Sequence, residues 1–110
     1  MKLGIIRCAQ TEDICPATTD LVFIKRKKGA FAHADGEIKL VGLVGCGGCP
    51  GKRAVMRAAE MVKRGADTIA LASCITKGTP IGFACPNAET MKSALAKKLG
   101  PDIKILDYTH

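Results

Sequence analysis

Hydrophobic positions along this chain change period several times, and each change marks an element. Leu3, Ile5 and Ile6 crowd into one brief apolar run, which predicts a short buried strand over residues 2–8. A polar loop, Ala9 to Asp13, follows. Pro16 and the stretch Ala-Thr-Thr-Asp-Leu-Val-Phe-Ile-Lys predict a helix over about residues 17–28, because proline is tolerated at a helical start and Lys and Arg suit its end. Gly29 is its expected stop. Phe31, Ala32 and Ala34 form an apolar bridge of ambiguous type, and Asp35-Gly36 predicts the turn into a second strand.

That strand, Ile38 to Val44, carries Leu40, Val41, Leu43 and Val44 and so reads as buried on both faces. From Pro50 the period becomes helical. Val55, Met56, Ala59, Met61 and Val62 line one stripe, while Lys52, Arg53, Arg57, Glu60, Lys63 and Arg64 lie mostly outside it, and Gly65 closes the helix. Asp67 to Cys74 is a third strand, completing a strand-helix-strand unit long enough for a right-handed crossover. Ile75 to Pro86 is an excursion punctuated by glycine and proline. Asn87 then caps a helix to about Leu99, with Met91, Leu95 and Leu99 inward and Gly100-Pro101 as the stop, and Ile103 to Leu106 is a fourth strand.

Strands alternating with helices over 110 residues predict one domain, 1–110: a small three-layer α/β/α unit with a mostly parallel sheet, flavodoxin-like or Rossmann-like in topology. About four strands make a short open sheet, which pairing with a second subunit in a homo-oligomer would complete. Aromatic residues are only 4% of the chain and Trp is absent, so the core must be aliphatic.

The formal charge of +7 raises nucleic acid as a partner. Its distribution argues against one: Lys25-Arg-Lys-Lys28 is the sole dense basic run, no aromatic platform adjoins it, and it suits a solvated helix end. Metal-bound thiolates would also lower the real charge. The polar break in Met1-Lys-Leu-Gly-Ile-Ile-Arg7 comes too early for a secretory segment, and no apolar run approaches the roughly eighteen residues of a membrane span. A cytoplasmic protein without a membrane partner is expected, in which six cysteines would stay reduced for metal or catalysis.

Those cysteines fall at element junctions. Cys46-Gly-Gly-Cys49 lies in a predicted strand-to-helix turn, Cys8 and Cys74 each end an apolar run, and Cys85 precedes the last helix. A parallel sheet directs its strands' carboxyl ends to one edge, so Cys8, Cys46, Cys49 and Cys74 should share it. His110 follows the fourth strand there, Cys85 can return on the long excursion, and Cys15 at a helix start can come near. Two cysteines separated by two residues can grip one metal ion, as can thiolates that hold iron-sulfur clusters. Zn²⁺ and an iron-sulfur cluster are both expected occupants at this point, because both accept this ligand class and the residues alone do not choose between them. Arg7, Lys52 and Arg53 would compensate the negative charge of such a centre or hold an anion. His33 is a weaker candidate.

Thiol redox chemistry is the alternative, since a helix start after Cys49 with Lys52 and Arg53 nearby favours thiolate. It lacks the aromatic residue that precedes a thioredoxin-like motif, and no reaction is specified by these residues. Nucleotide motifs fail. Walker A needs four residues between its glycines and then Lys-Ser/Thr, whereas five separate Gly45 from Gly51 and Arg53 follows Lys52. Pro50 stands where the dinucleotide pattern needs its last glycine.

Gly45-Cys-Gly-Gly-Cys-Pro-Gly-Lys52, together with Ala72-Ser-Cys74, Gly-Thr-Pro-Ile-Gly-Phe-Ala-Cys-Pro86 and Asp107-Tyr-Thr-His110, resembles the CGGC domain family. The resemblance runs across essentially the whole chain, including Ile5-Ile-Arg-Cys8 and Cys15-Pro16. It implies a small domain suspected of binding metal, often zinc, through cysteines and a histidine. Carried over by motif, the group is Cys8, Cys46, Cys49, Cys74, Cys85 and His110, with Cys15 as a further member.

Overall fold

A computed structural model describes residues 1–34 and 36–110. Asp35, half of the turn expected before the second strand, lies outside the described residues. The strands are β1 (Lys2–Arg7), β2 (Lys39–Gly45), β3 (Thr68–Leu71) and β4 (Lys104–Leu106); the helices are α1 (Thr18–Arg26), α2 (Lys52–Lys63), α3 (Ser73–Thr76) and α4 (Ala88–Leu99). Every strand pair is parallel, in the order β2-β1-β3-β4. This is the expected three-layer α/β/α domain, with the flavodoxin-like strand order.

β1 runs through the middle, which is why Leu3, Ile5 and Ile6 are fully buried. The chain steps from β1 outward to β2, then crosses back over β1 to β3 and on to β4. Right-handed crossovers in opposite directions place α1 on one face and α2 and α4 on the other. α2 seats closely because β1 and β2 offer it glycines. Met61 Sδ lies 2.8 Å from where a Cβ on Gly4 would stand and 3.1 Å from one on Gly42. α4 packs along α2, burying Met91 and Leu95 beside Ala54 and Ala58.

Four local readings need correction. β2 is an edge strand, so its residues are half-buried at best and Leu40 is exposed; apolar composition alone could not reveal that one side has no neighbour. β3 ends at Leu71, and Cys74 sits in α3 rather than at the strand end, because Ser73 turns the chain into the sheet edge. α1 stops at Arg26 with Lys27 left-handed, its N–H directed to the carbonyls of Ile24 and Phe23, and Gly29 opens a further short turn over Gly29–Phe31. Asn87 holds the N-cap position of α4, but its side chain makes no capping bond. The basic run from Lys25 is exposed at the end of α1, where the helix dipole favours positive charge. No helix among the described residues is long and apolar enough to cross a membrane.

Candidate functional site

The chain reverses its direction of travel across the sheet between β1 and β3. Loops leaving the carboxyl ends of such neighbours diverge to opposite sides and leave a crevice, the usual ligand position in open α/β sheets. Cys8 is the first residue after β1, and Cys74 lies three residues after the end of β3. The two are locked together: the Cys8 N–H donates to Cys74 Sγ over 3.1 Å. Thr11 then folds back in a short turn, with its hydroxyl donating to the Cys8 carbonyl at 3.0 Å.

Cys85 arrives from the excursion after α3. Its N–H donates to the Ile75 carbonyl at 2.7 Å, and its sulfur accepts the N–H of Asn87 at 3.4 Å. Cys49 comes from the glycine-rich turn before α2, exposed, with Gln10 Nε2 3.8 Å from its sulfur. Cys8, Cys49, Cys74 and Cys85 line one cavity of about 100 Å³, whose remaining wall is largely Ile81, Phe83 and Pro86. All six cysteines are free thiols. Among the described residues, no three His, Cys, Asp or Glu side chains stand in a ready metal-holding arrangement.

The other sequence candidates lie elsewhere. Cys46 is buried, and its N–H extends the β1–β2 ladder to the Arg7 carbonyl at 2.7 Å. Gly47 and Gly48 both have positive φ, so the turn separates Cys46 from the cavity that Cys49 lines. Cys15 is half-buried, and its carbonyl accepts from the Arg7 guanidinium. Arg7 is itself buried, and its Nε has no hydrogen-bond partner among the described residues. Lys52 and Arg53 are exposed, with Arg53 lying across Gly47. His33 is exposed. His110 packs its ring on Phe23 at 5.5 Å between centroids and places Nε2 3.6 Å from Asp20 Oδ1.

Sequence reasoning missed the polar knot that holds His110 there. The Ser73 N–H donates to Thr109 Oγ1 at 3.2 Å, and Ser73 Oγ accepts the N–H groups of Thr109 and His110 at 3.2 and 3.0 Å. Thr109 Oγ1 donates in turn to the buried Asp20 carboxylate. The partners are far apart in the chain and each is an ordinary loop or cap residue type, so no local pattern announces them.

Burial pushes the Cys74 thiol above its ordinary range. The Cys8 N–H and the Thr11 hydroxyl hold it back in part, while the Cys8 and Asp20 charges add to the rise. A thiol kept neutral by the fold favours the folded state below the ordinary thiol pKa, and that contribution is lost as pH climbs through the raised value. Near neutral pH, iodoacetamide should label exposed Cys49 first and buried Cys74 and Cys46 last, read by mass spectrometry. Equal labelling of Cys49 and Cys74 would contradict this arrangement.

A family model described as the CGGC domain matches residues 2–110. An uncharacterised protein of Methanocaldococcus jannaschii is 37% identical over 81 residues, a segment covering 67% of this chain and 62% of that protein. The chain thus spans less than two thirds of that relative. No solved structure matches.

Proposed function

This chain belongs to the CGGC domain family, and from that premise we propose that it binds a thiophilic metal ion through Cys8, Cys49, Cys74 and Cys85. Zn²⁺ is the proposed ion and an iron-sulfur cluster the alternative occupant. The observation that carries the reading is the single cavity these four sulfurs share, although they come from four separate segments. Inert buried cysteines have no reason to converge on the crevice of a parallel sheet, whereas soft thiolate donors suit zinc or iron. Their donor chemistry fits such a group; since no three of them stand in a ready metal-holding arrangement among the described residues, metal uptake would have to draw the sulfurs together. Metal uptake would release the Cys74 proton, so affinity should rise with pH. The buried Arg7 guanidinium near the same edge supplies positive charge against a metal–thiolate centre.

Zinc titration of anaerobically purified, metal-free protein tests this reading. One equivalent should bind, and Cys74→Ser should weaken binding by more than about 100-fold, beyond what losing an outer-sphere partner does. Cys46→Ser should leave affinity within about threefold, a shift well below that of an outer-sphere loss. Equal losses for Cys46→Ser and Cys74→Ser would overturn the four-ligand set.

One observation favours a second reading, thiol–disulfide exchange: Cys49 is exposed ahead of α2 while Cys46 is buried three residues before it. Attack by Cys49 on a disulfide substrate, then by Cys46 on the mixed disulfide, would leave Cys46–Cys49 oxidised and the substrate as two thiols. Rapid, reversible formation of that disulfide in protein that takes up no zinc would favour exchange over metal binding.

A further inference from the structure

Two residues beyond Cys74, the same short helix contributes to a different cavity. It measures about 270 Å³ and opens past the carboxyl ends of β3 and β4, walled chiefly by Thr76, Lys77, Glu89, Lys92, Asp107 and Tyr108. None of these residues lines the thiol cavity. Nothing in the metal-binding reading uses them.

Their internal pairing leaves a specific remainder. Lys92 Nζ and Asp107 Oδ2 pair with each other at 3.3 Å. Lys77 is held in place by donating to the His110 backbone oxygen at 2.8 Å and by lying 4.6 Å over the Tyr108 ring, which leaves its ammonium with further donors to give. Thr76 Oγ1 is buried and has no hydrogen-bond partner among the described residues, a condition rare enough in folded proteins to need an explanation. Glu89, in the first turn of α4, is exposed and forms no ion pair among the described residues. The remainder is a hydroxyl and an ammonium beside each other in sequence on one wall, and a carboxylate on another.

We propose that this cavity binds a small zwitterion of the α-amino acid class, its carboxylate received by Lys77 and Thr76 and its ammonium by Glu89. Mixed charge in the walls selects for mixed charge in the ligand. With Lys92 and Asp107 paired, a simple anion would gain Lys77 but meet Glu89, and a simple cation would gain Glu89 but meet Lys77, so each alone gains one attraction and suffers one repulsion. A neutral ligand would gain attraction from neither Lys77 nor Glu89. The size suits a small metabolite, and the position at the strand ends is where parallel sheets take ligands.

Nitrogen-15 NMR titration of the full chain with each standard L-amino acid in turn tests the proposal, with acetate and methylammonium as single-charge controls. At least one amino acid should give saturable shifts at the Thr76, Lys77 and Glu89 amides, and neither control should do so at equal concentration. Thr76→Val and Glu89→Gln should each weaken that binding about tenfold or more. Their melting temperatures should not fall, because one removes an orphaned hydroxyl and the other changes an exposed side chain. Should Thr76→Val fold poorly, Glu89→Gln alone carries the test. Absence of saturable shifts with every amino acid, equal binding of acetate, or unchanged affinity in Glu89→Gln would overturn the proposal. The shifts should persist in Cys74→Ser, so loss of zinc binding and loss of amino acid binding are separate results.

Discussion

Gly78→Ala is expected to destabilise the protein by about 2–4 kcal/mol and to free Cys85 from the thiol cavity. Gly78 has φ +79°, a region where an L side chain clashes with its own backbone. A Cβ there would also stand 2.5 Å from Ala84 N and 2.7 Å from Phe83 N, and closer still to the Phe83 carbonyl carbon. These are backbone atoms that cannot swing aside as a long side chain would. The closeness has a purpose: it lets the excursion double back on α3, so that the Gly82 N–H reaches the Gly78 carbonyl at 2.6 Å and the Cys85 N–H reaches Ile75. In a domain of this size the melting temperature should drop by roughly 10–17 °C. Where the loop yields by lifting away, the fall will be smaller, and alkylation of Cys85 will speed up instead. A variant with unchanged melting and unchanged Cys85 labelling would show that the doubled-back loop does not depend on that glycine.

The same loop shows how far the sequence could be read. Each strand and each long helix was legible because short apolar runs, helical stripes and proline, glycine and basic end signals are local, and the strand-helix alternation then dictated a parallel sheet. Cysteines at strand ends could therefore be placed on one edge before any coordinates. Which of them share a cavity was not legible. That choice depends on a long-range backbone approach at Gly78 for Cys85 and on the sense of the Gly47-Gly48 turn for Cys46 and Cys49. The exposure of β2 was hidden for a related reason: Leu40 to Val44 look alike in a central strand and at an edge, and only strand order distinguishes them. Membership of the CGGC domain family, by contrast, was carried by motifs that need no fold to recognise.

Asp20→Ala should produce the second large loss, about 2–4 kcal/mol in denaturant unfolding. Asp20 is 4% exposed and receives the Thr109 hydroxyl, whose oxygen already accepts the Ser73 N–H. Truncation would leave that hydroxyl buried with no acceptor, strip a favourable carboxylate from the first turn of α1, and remove the partner facing His110 Nε2. Three segments depend on this one contact: α1 through Asp20, α3 through Ser73, and the exit from β4 through Thr109. Asp20→Asn keeps an acceptor oxygen for Thr109 and should lose markedly less, so the difference between the two variants isolates the hydrogen bond from the charge. A further consequence separates this knot from ordinary core packing. Since Ser73 opens the helix that carries Cys74, loosening it should raise the rate at which Cys74 is alkylated without altering that of Cys49. If Asp20→Ala unfolds at the same denaturant concentration as the parent chain, the knot is a bystander, and the placement of Cys74 must be credited to the sheet and the Cys8 N–H alone.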